Sequence, residues 1–161
     1  EREMAGCSWN RANRRYVAQN IYLPGRNHIT TGELVMVVDT SGSIGERELN
    51  AMANEIKAAN RLIQPKSLIV IYCDAAVNRV DIFEREDEIV IRNVGGGGTS
   101  FFPPFAYLER ENIVPHALVY LTDGYGDGFP NPQFPVLWAI NNDHVVPPTG
   151  RHIRVHADEN D

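Results

Sequence analysis

The feature that most restricts the fold of this chain is a set of unbroken apolar runs, each as long as a buried strand. They occupy residues 34–38, 67–73, 116–121 and 136–140. A strand with one face in water alternates apolar and polar residues, whereas a strand covered on both faces does not. Val80 and Ile82 lie in a shorter alternating segment, which suits an edge strand paired antiparallel. The pattern therefore predicts a mainly parallel sheet with an antiparallel edge strand.

Helical periodicity appears between these runs. Apolar residues recur at helical intervals from Leu49 to Ala59 and stop before Pro65, and Ser43 and Glu46 have the spacing of a capping box at the start of this helix. A second helix is predicted through Phe105 to Arg110. Strands that alternate with helices predict an α/β fold, a Rossmann-like sheet between two helical layers, with right-handed crossovers.

The size of the chain indicates one domain. A chain of 161 residues with 43% hydrophobic residues can bury one full core but not two. Residues 1–30 contain five Arg and two Glu, and we interpret them as a lead-in segment to a domain at 31–161. Because the first residue is Glu1 rather than Met, and the opening segment is like sequence from the middle of a longer chain, we expect a domain excised from a longer protein.

Charge and hydropathy exclude several classes of partner. The net charge of -6 and pI near 5.3 argue against nucleic acid, which requires a basic surface. No apolar run approaches the ~20 residues that cross a bilayer, so we expect no membrane contact and a cytoplasmic location. Cys7 and Cys73 are far apart and imply no disulfide framework, which fits a reducing compartment.

Two of the predicted strands end in an aspartate followed by small residues. Residues 39–43 read Asp-Thr-Ser-Gly-Ser, and residues 122–124 read Thr-Asp-Gly. Ligands of open α/β sheets bind beyond the carboxyl ends of the strands. If these two strands are neighbours, Asp39, Ser41, Ser43 and Asp123 converge there, and the glycine run at 95–98 lets Thr99 approach.

This set of two carboxylates and three hydroxyls predicts a site for a hard divalent cation, Mg²⁺ or Mn²⁺. Hydroxyl groups are weak ligands and leave the ion electrophilic. An open position would then remain for a carboxylate from outside, which favours a binding site over a closed structural one.

The order and spacing of these residues resemble the metal-ion-dependent adhesion site (MIDAS) of von Willebrand factor A (VWA) domains. The resemblance implies that Ser41, Ser43 and Thr99 touch the ion. Asp39 and Asp123 would act directly or through water, and an Asp or Glu of a protein partner would complete the shell. The implied function is metal-dependent protein binding, with no catalytic residue in this domain.

Further segments narrow the resemblance. Asn13-Arg14-Arg15-Tyr16, Leu23-Pro24-Gly25 and Pro147-Pro148-Thr149-Gly150-Arg151 resemble the C-terminal VWA-like domain of a family of bacterial proteins designated metallopeptidases. That resemblance implies a cytoplasmic assembly with a MoxR-type AAA+ ATPase. The resemblance does not extend to peptidase activity, because the chain has no His-Glu-x-x-His zinc motif.

Other interpretations stay open from the sequence. The segment at 39–43 is also typical of a helix N-cap, and the site is also compatible with a metal-dependent hydrolase or with a regulatory domain of a metallopeptidase. A structural domain with a vestigial site is a third possibility. Two departures from the VWA pattern predict that one face of the sheet is thinly covered. Residues 83–95 are too few for the helix often found there, and no closing helix is predicted after Val155.

Overall fold

The computed structural model describes the backbone of residues 8–12, 24–25 and 32–155, and the side chains of 32–155. Strand β1 (Ser8–Ala12) pairs antiparallel with β2 (Pro24–Gly25). The rest of the predicted lead-in at 1–30 lies outside the described residues, as do Cys7 and the segment from Asn13 to Tyr16.

A six-stranded sheet forms the centre of the domain, in the order β5-β4-β3-β6-β7-β8. Its strands are β3 (Glu33–Asp39), β4 (Ser67–Cys73), β5 (Val77–Glu84), β6 (Ala117–Thr122), β7 (Val136–Ile140) and β8 (Arg151–Arg154). Every neighbouring pair is parallel except β4 and β5. The predicted parallel sheet with an antiparallel edge is thus confirmed, and so is the predicted adjacency of β3 and β6.

Helices pack on both faces of this sheet, because alternate side chains of each buried strand point to opposite sides. Helix α1 (Glu46–Ile63) places Met52 and Ile56 against Met36 and its neighbours on one face. Helix α2 (Phe102–Arg110) places Leu108 on the other face, beside Val35. The result is the predicted three-layer α/β architecture.

The start of α1 corrects one prediction. The N-cap residue is Gly45 and no side chain caps the helix, so the predicted capping box of Ser43 and Glu46 is absent. The Ser43 hydroxyl instead donates to Asp123, eighty residues further along the chain. A tertiary hydrogen bond has replaced the local one that the sequence pattern suggested.

Residues 83–95 contain no helix, as the length of this stretch predicted. Ile89, Ile91 and Val94 nevertheless pack against the face that α1 covers, so irregular chain supplies apolar cover where a helix is missing. Helix α2 then begins at Phe102 with proline in its first turn, where a missing N–H costs nothing. Within the described residues, no helix is long and apolar enough to span a bilayer.

Candidate functional site

Asp39 forms the floor of the candidate site. It is the last residue of β3, a central strand, and it is fully buried. Its Oδ1 accepts a hydrogen bond from the Ser41 N–H at 2.9 Å, and its Oδ2 accepts one from the Thr122 hydroxyl at 2.6 Å. Burial raises the pKa of Asp39, against the opposing effect of these hydrogen bonds, and the charge of Asp123 raises it further. A nearby cation would reverse this penalty on the charged form.

The loop after β3 turns back toward Asp39 and carries the hydroxyl groups of Ser41 and Ser43. The bond from Ser41 N–H to the Asp39 side chain is an Asx-type turn, in which a carboxylate replaces a backbone acceptor. The Ser41 and Ser43 hydroxyl oxygens lie 3.1 Å apart, and Ser43 donates to Asp123 Oδ2 at 2.5 Å. Ser41 is buried whereas Ser43 is exposed, so the row of oxygens runs from the floor to solvent.

Asp123 approaches from the neighbouring strand. It follows β6, which pairs with β3 in parallel register up to Val38 and Leu121. Its Oδ1 accepts the Tyr125 N–H at 3.0 Å, which fixes the carboxylate while Oδ2 faces Ser43. The turn depends on Gly124, whose φ is +84° and whose missing side chain would meet Val145 at 2.9 Å.

The glycine run lies against the loop after β3. The Gly42 N–H donates to the Gly97 carbonyl at 3.3 Å, which joins the two loops. Gly95 has a φ of +117°, and a Cβ there would lie 2.5 Å from the Thr40 hydroxyl, so only glycine allows this approach. The run thereby carries Thr99, which is half-buried, to the same edge of the sheet.

The structure therefore joins four of the five predicted site residues by direct or shared hydrogen bonds: Asp39, Ser41, Ser43 and Asp123. Among residues 32–155, the hydrogen bonds do not connect the Thr99 hydroxyl to this group. The position of Thr99 near the site follows from the path of its loop.

Sequence reasoning missed Thr122, which is fully buried and holds the carboxylate of Asp39. Its hydroxyl also accepts the Gly124 N–H at 3.0 Å, so it links both aspartate-bearing loops. A signal was present: extending the parallel register from Val38 and Leu121 by one residue places Thr122 beside Asp39. Two further aspartates lie beside the site: Asp74 accepts the Gly97 N–H, and Asp127 accepts the Ser100 hydroxyl.

The donor chemistry fits a hard divalent cation. Carboxylate and hydroxyl oxygens are the ligands such ions prefer, and the arrangement has a buried acidic floor with an open, exposed side. Within the described chain, no three residues of the His, Cys, Asp and Glu types converge as a metal-holding group. A site of two carboxylates and several hydroxyls is of a different kind, and it suits Mg²⁺ or Mn²⁺ better than zinc.

Cys73 lies beneath the site at the end of β4 and is an inert thiol. It is buried, and its Sγ contacts the carbonyl oxygens of Asp74 at 3.3 Å and Ser100 at 3.6 Å. Burial raises its pKa from an ordinary value of 9.0 to about 12; a hydrogen bond with Tyr120 opposes this shift and nearby carboxylates add to it. The thiol therefore stays protonated at any physiological pH.

This pKa predicts a loss of stability in alkali. Between pH 9.0 and about 12 the unfolded thiol has lost its proton while the folded thiol keeps it. Raising the pH then favours the unfolded state, by up to about 1.4 kcal/mol per pH unit from this group. We expect the free energy of unfolding, measured with urea at pH 8 and pH 10, to fall less steeply in Cys73→Ala than in the wild type. Equal slopes would show that the thiol titrates normally in the folded protein.

The fold and the site together define a class of protein: an α/β domain with a mainly parallel sheet that carries a hydrogen-bonded group of carboxylates and hydroxyls at the carboxyl ends of two adjacent strands. Residues 34–156 match the family described as VWA-like domain (DUF2201), and the chain belongs to this family. An uncharacterized protein of Thermotoga maritima is 31% identical over 134 residues, which are 83% of this chain. This chain spans 32% of that protein's length. The expected VWA-like fold is confirmed.

Proposed function

We propose that this domain is a metal-dependent protein-binding module. It would hold Mg²⁺ or Mn²⁺ with Asp39, Ser41, Ser43, Thr99 and Asp123 and bind a carboxylate of a partner protein. The observation that carries this proposal is the hydrogen-bonded row of oxygens from Ser41 through Ser43 to Asp123, above the buried carboxylate of Asp39. When bound, the ion would supply an electrophilic position that attracts an acidic side chain.

The residues of the chain have separate tasks in this proposal. Asp39 provides negative charge in a buried position, and Thr122 and the Ser41 N–H fix its orientation. Asp123 adds a second charge from the neighbouring strand, so the protein offers two negative charges to a divalent ion. Ser43 is exposed and leaves one side of the site accessible to a partner. Recognition therefore requires no covalent chemistry.

We further propose that the domain works in a cytoplasmic bacterial assembly that contains an AAA+ ATPase of the MoxR type. The support is the resemblance of the ending Pro147-Pro148-Thr149-Gly150-Arg151 to bacterial VWA-like domains, together with the match to a segment of a longer Thermotoga maritima protein. A role as regulatory domain beside a peptidase unit is compatible with the same site.

The metal site is tested by removing its hydroxyl groups. We expect Mn²⁺ to bind the chelator-treated wild type with 1:1 stoichiometry in calorimetry. The Ser41→Ala, Ser43→Ala double variant should bind at least about tenfold more weakly, because it removes two of the proposed ligand oxygens. The Ser67→Ala, Thr149→Ala double variant is the matched control, since it removes two hydroxyls at the opposite ends of the strands from the site. Equal binding by all three proteins, or no binding by any, would refute the metal site.

A second stage of the same experiment tests whether the bound ion binds a carboxylate from outside the domain. Water-proton relaxation reports how much water exchanges at protein-bound Mn²⁺, and displacement of that water lowers the enhancement. We expect the blocked peptide acetyl-Gly-Asp-Gly-amide to lower it, and the Asn analogue to leave it unchanged. If both peptides leave it unchanged while Mn²⁺ binds, the ion is structural and the binding function is wrong.

A further inference from the structure

The loop that carries Thr99 is poorly suited to hold its own shape. Residues 95–98 are four consecutive glycines, and Gly95 and Gly96 have φ values of +117° and +126°. Glycine loses more conformational freedom on folding than any other residue, and these four have no side chains that could pack. The position of Thr99 must therefore be fixed by groups outside the run.

The first anchor is Asp74, which follows β4. Its Oδ2 accepts the Gly97 N–H at 3.1 Å, and its backbone carbonyl accepts the Ser100 N–H at 2.9 Å. Partial desolvation favours a higher pKa for Asp74, but hydrogen bonds from the backbone N–H groups of Ala76 and Gly97 and from the Asn78 side chain leave the pKa lowered. The carboxylate is therefore ionised at neutral pH and accepts these bonds at full strength.

The second anchor is Asp127, in the loop that follows Asp123. Its Oδ2 accepts the Ser100 hydroxyl at 2.6 Å, and its Oδ1 accepts the Phe101 N–H at 3.1 Å. The Ser100 hydroxyl is the main cause of its lowered pKa; desolvation opposes that effect and the Phe101 N–H adds to it. Asp127 thus binds the two residues that follow Thr99, whereas Asp74 binds on both sides of it.

We propose that Asp127 is a positioning residue that holds Thr99 at the metal site through Ser100 and Phe101. This inference rests on the proposed function, in which Thr99 is a ligand of the ion. It also gives a reason for the position of Asp127 in the loop after Asp123. A shift of that loop would move the ligand Asp123 together with Asp127, the residue that positions the ligand Thr99. The loops after β6 and before α2 therefore act on the ion together.

The test is a double-mutant cycle between Asp127→Ala and Thr99→Ala, with Mn²⁺ affinity measured by calorimetry. Asp127→Ala should weaken binding about tenfold in the wild type, as is typical when a supporting group of a ligand is removed. In the Thr99→Ala background the same change should weaken it less than about twofold, because no positioned hydroxyl remains to lose. Ser100→Ala, which removes one of the two bonds to Asp127, should give an intermediate loss.

Asp87→Ala is the matched control, because Asp87 is an exposed turn aspartate that accepts the Glu84 N–H at 2.7 Å at the opposite edge. It should leave Mn²⁺ affinity unchanged. A tenfold loss in both Thr99 backgrounds, or in neither, overturns the positioning role. If the wild type binds no Mn²⁺, the proposed function is wrong, and the role of Asp127 is then decided by amide hydrogen exchange at Thr99 and Phe101. Equal exchange rates in the wild type and Asp127→Ala overturn that role. Exchange faster by about tenfold in the variant upholds Asp127 as the residue that anchors this loop.

Discussion

Replacing Asp39 by Asn is expected to weaken metal binding severely while leaving the metal-free protein as stable as the wild type or more stable. The amide oxygen can still accept the Ser41 N–H, and the NH₂ group can donate to the Thr122 hydroxyl, which then accepts instead of donating, so both contacts of Asp39 remain hydrogen bonds. The buried negative charge disappears, and with it the desolvation that raises the pKa of Asp39. Metal affinity should fall by at least about a hundredfold, because one of two charged groups is lost.

Thermal unfolding with chelator and with Mg²⁺ separates these two effects. A ligand present at 100 times its dissociation constant stabilises the folded state by about 2.7 kcal/mol, and this increment should appear only in the wild type. In chelator, the variant should therefore unfold at the same temperature as the wild type or at a higher one. In Mg²⁺, it should unfold at a lower temperature than the wild type. A variant that is strongly destabilised in chelator would show that the charge of Asp39 supports the fold itself. Equal Mg²⁺ shifts in both proteins would place the ion elsewhere.

The buried strands were predictable because burial on both faces leaves an unbroken apolar run. The predicted run at 136–140 coincides with β7, and the run at 34–38 lies within β3 (Glu33–Asp39). The last strand was less distinct in the sequence: β8 is Arg151–Arg154, and all four of its residues are exposed or half-buried. Edge positions bury little apolar surface, so their sequence carries little periodic signal.

The candidate site was predictable to the extent that chain order fixes which strand ends meet. Asp39 is the last residue of one strand of a parallel pair and Asp123 directly follows the other, so topology alone brings them together. The partner of each hydroxyl was not predictable, because Ser43 fits a local helix cap as well as the distant carboxylate that it contacts. In the same way, nothing local to Asp127 indicates that its acceptor groups face Ser100 and Phe101. The direct role of Thr99 at the ion stays a prediction.

Replacing Phe101 by Ala is expected to have the largest effect on stability and to loosen the site as well. Its ring is fully buried, with its centroid 5.3 Å from that of Tyr120, 5.1 Å from that of Phe129 and 5.4 Å from that of Trp138. Truncating such a side chain costs on the order of 3–5 kcal/mol from lost burial and the remaining cavity. We expect a loss of that size in the free energy of unfolding measured with guanidinium chloride.

The ring of Phe101 also joins the two loops that position the site. A Cβ on Gly126 would lie 2.8 Å from this ring, so the loop that contains Asp127 packs directly on it, while the Phe101 backbone continues from Thr99 and Ser100. Phe105→Ala is the matched control, because Phe105 belongs to the same aromatic cluster, at 6.3 Å from Tyr120, but lies within α2. Both variants should lower stability, whereas only Phe101→Ala should also weaken Mn²⁺ binding under conditions where each protein is folded. If both variants weaken it equally, metal affinity follows the stability of the core as a whole; if neither does, the loops hold their positions by the hydrogen bonds of Asp74 and Asp127 without support from the core.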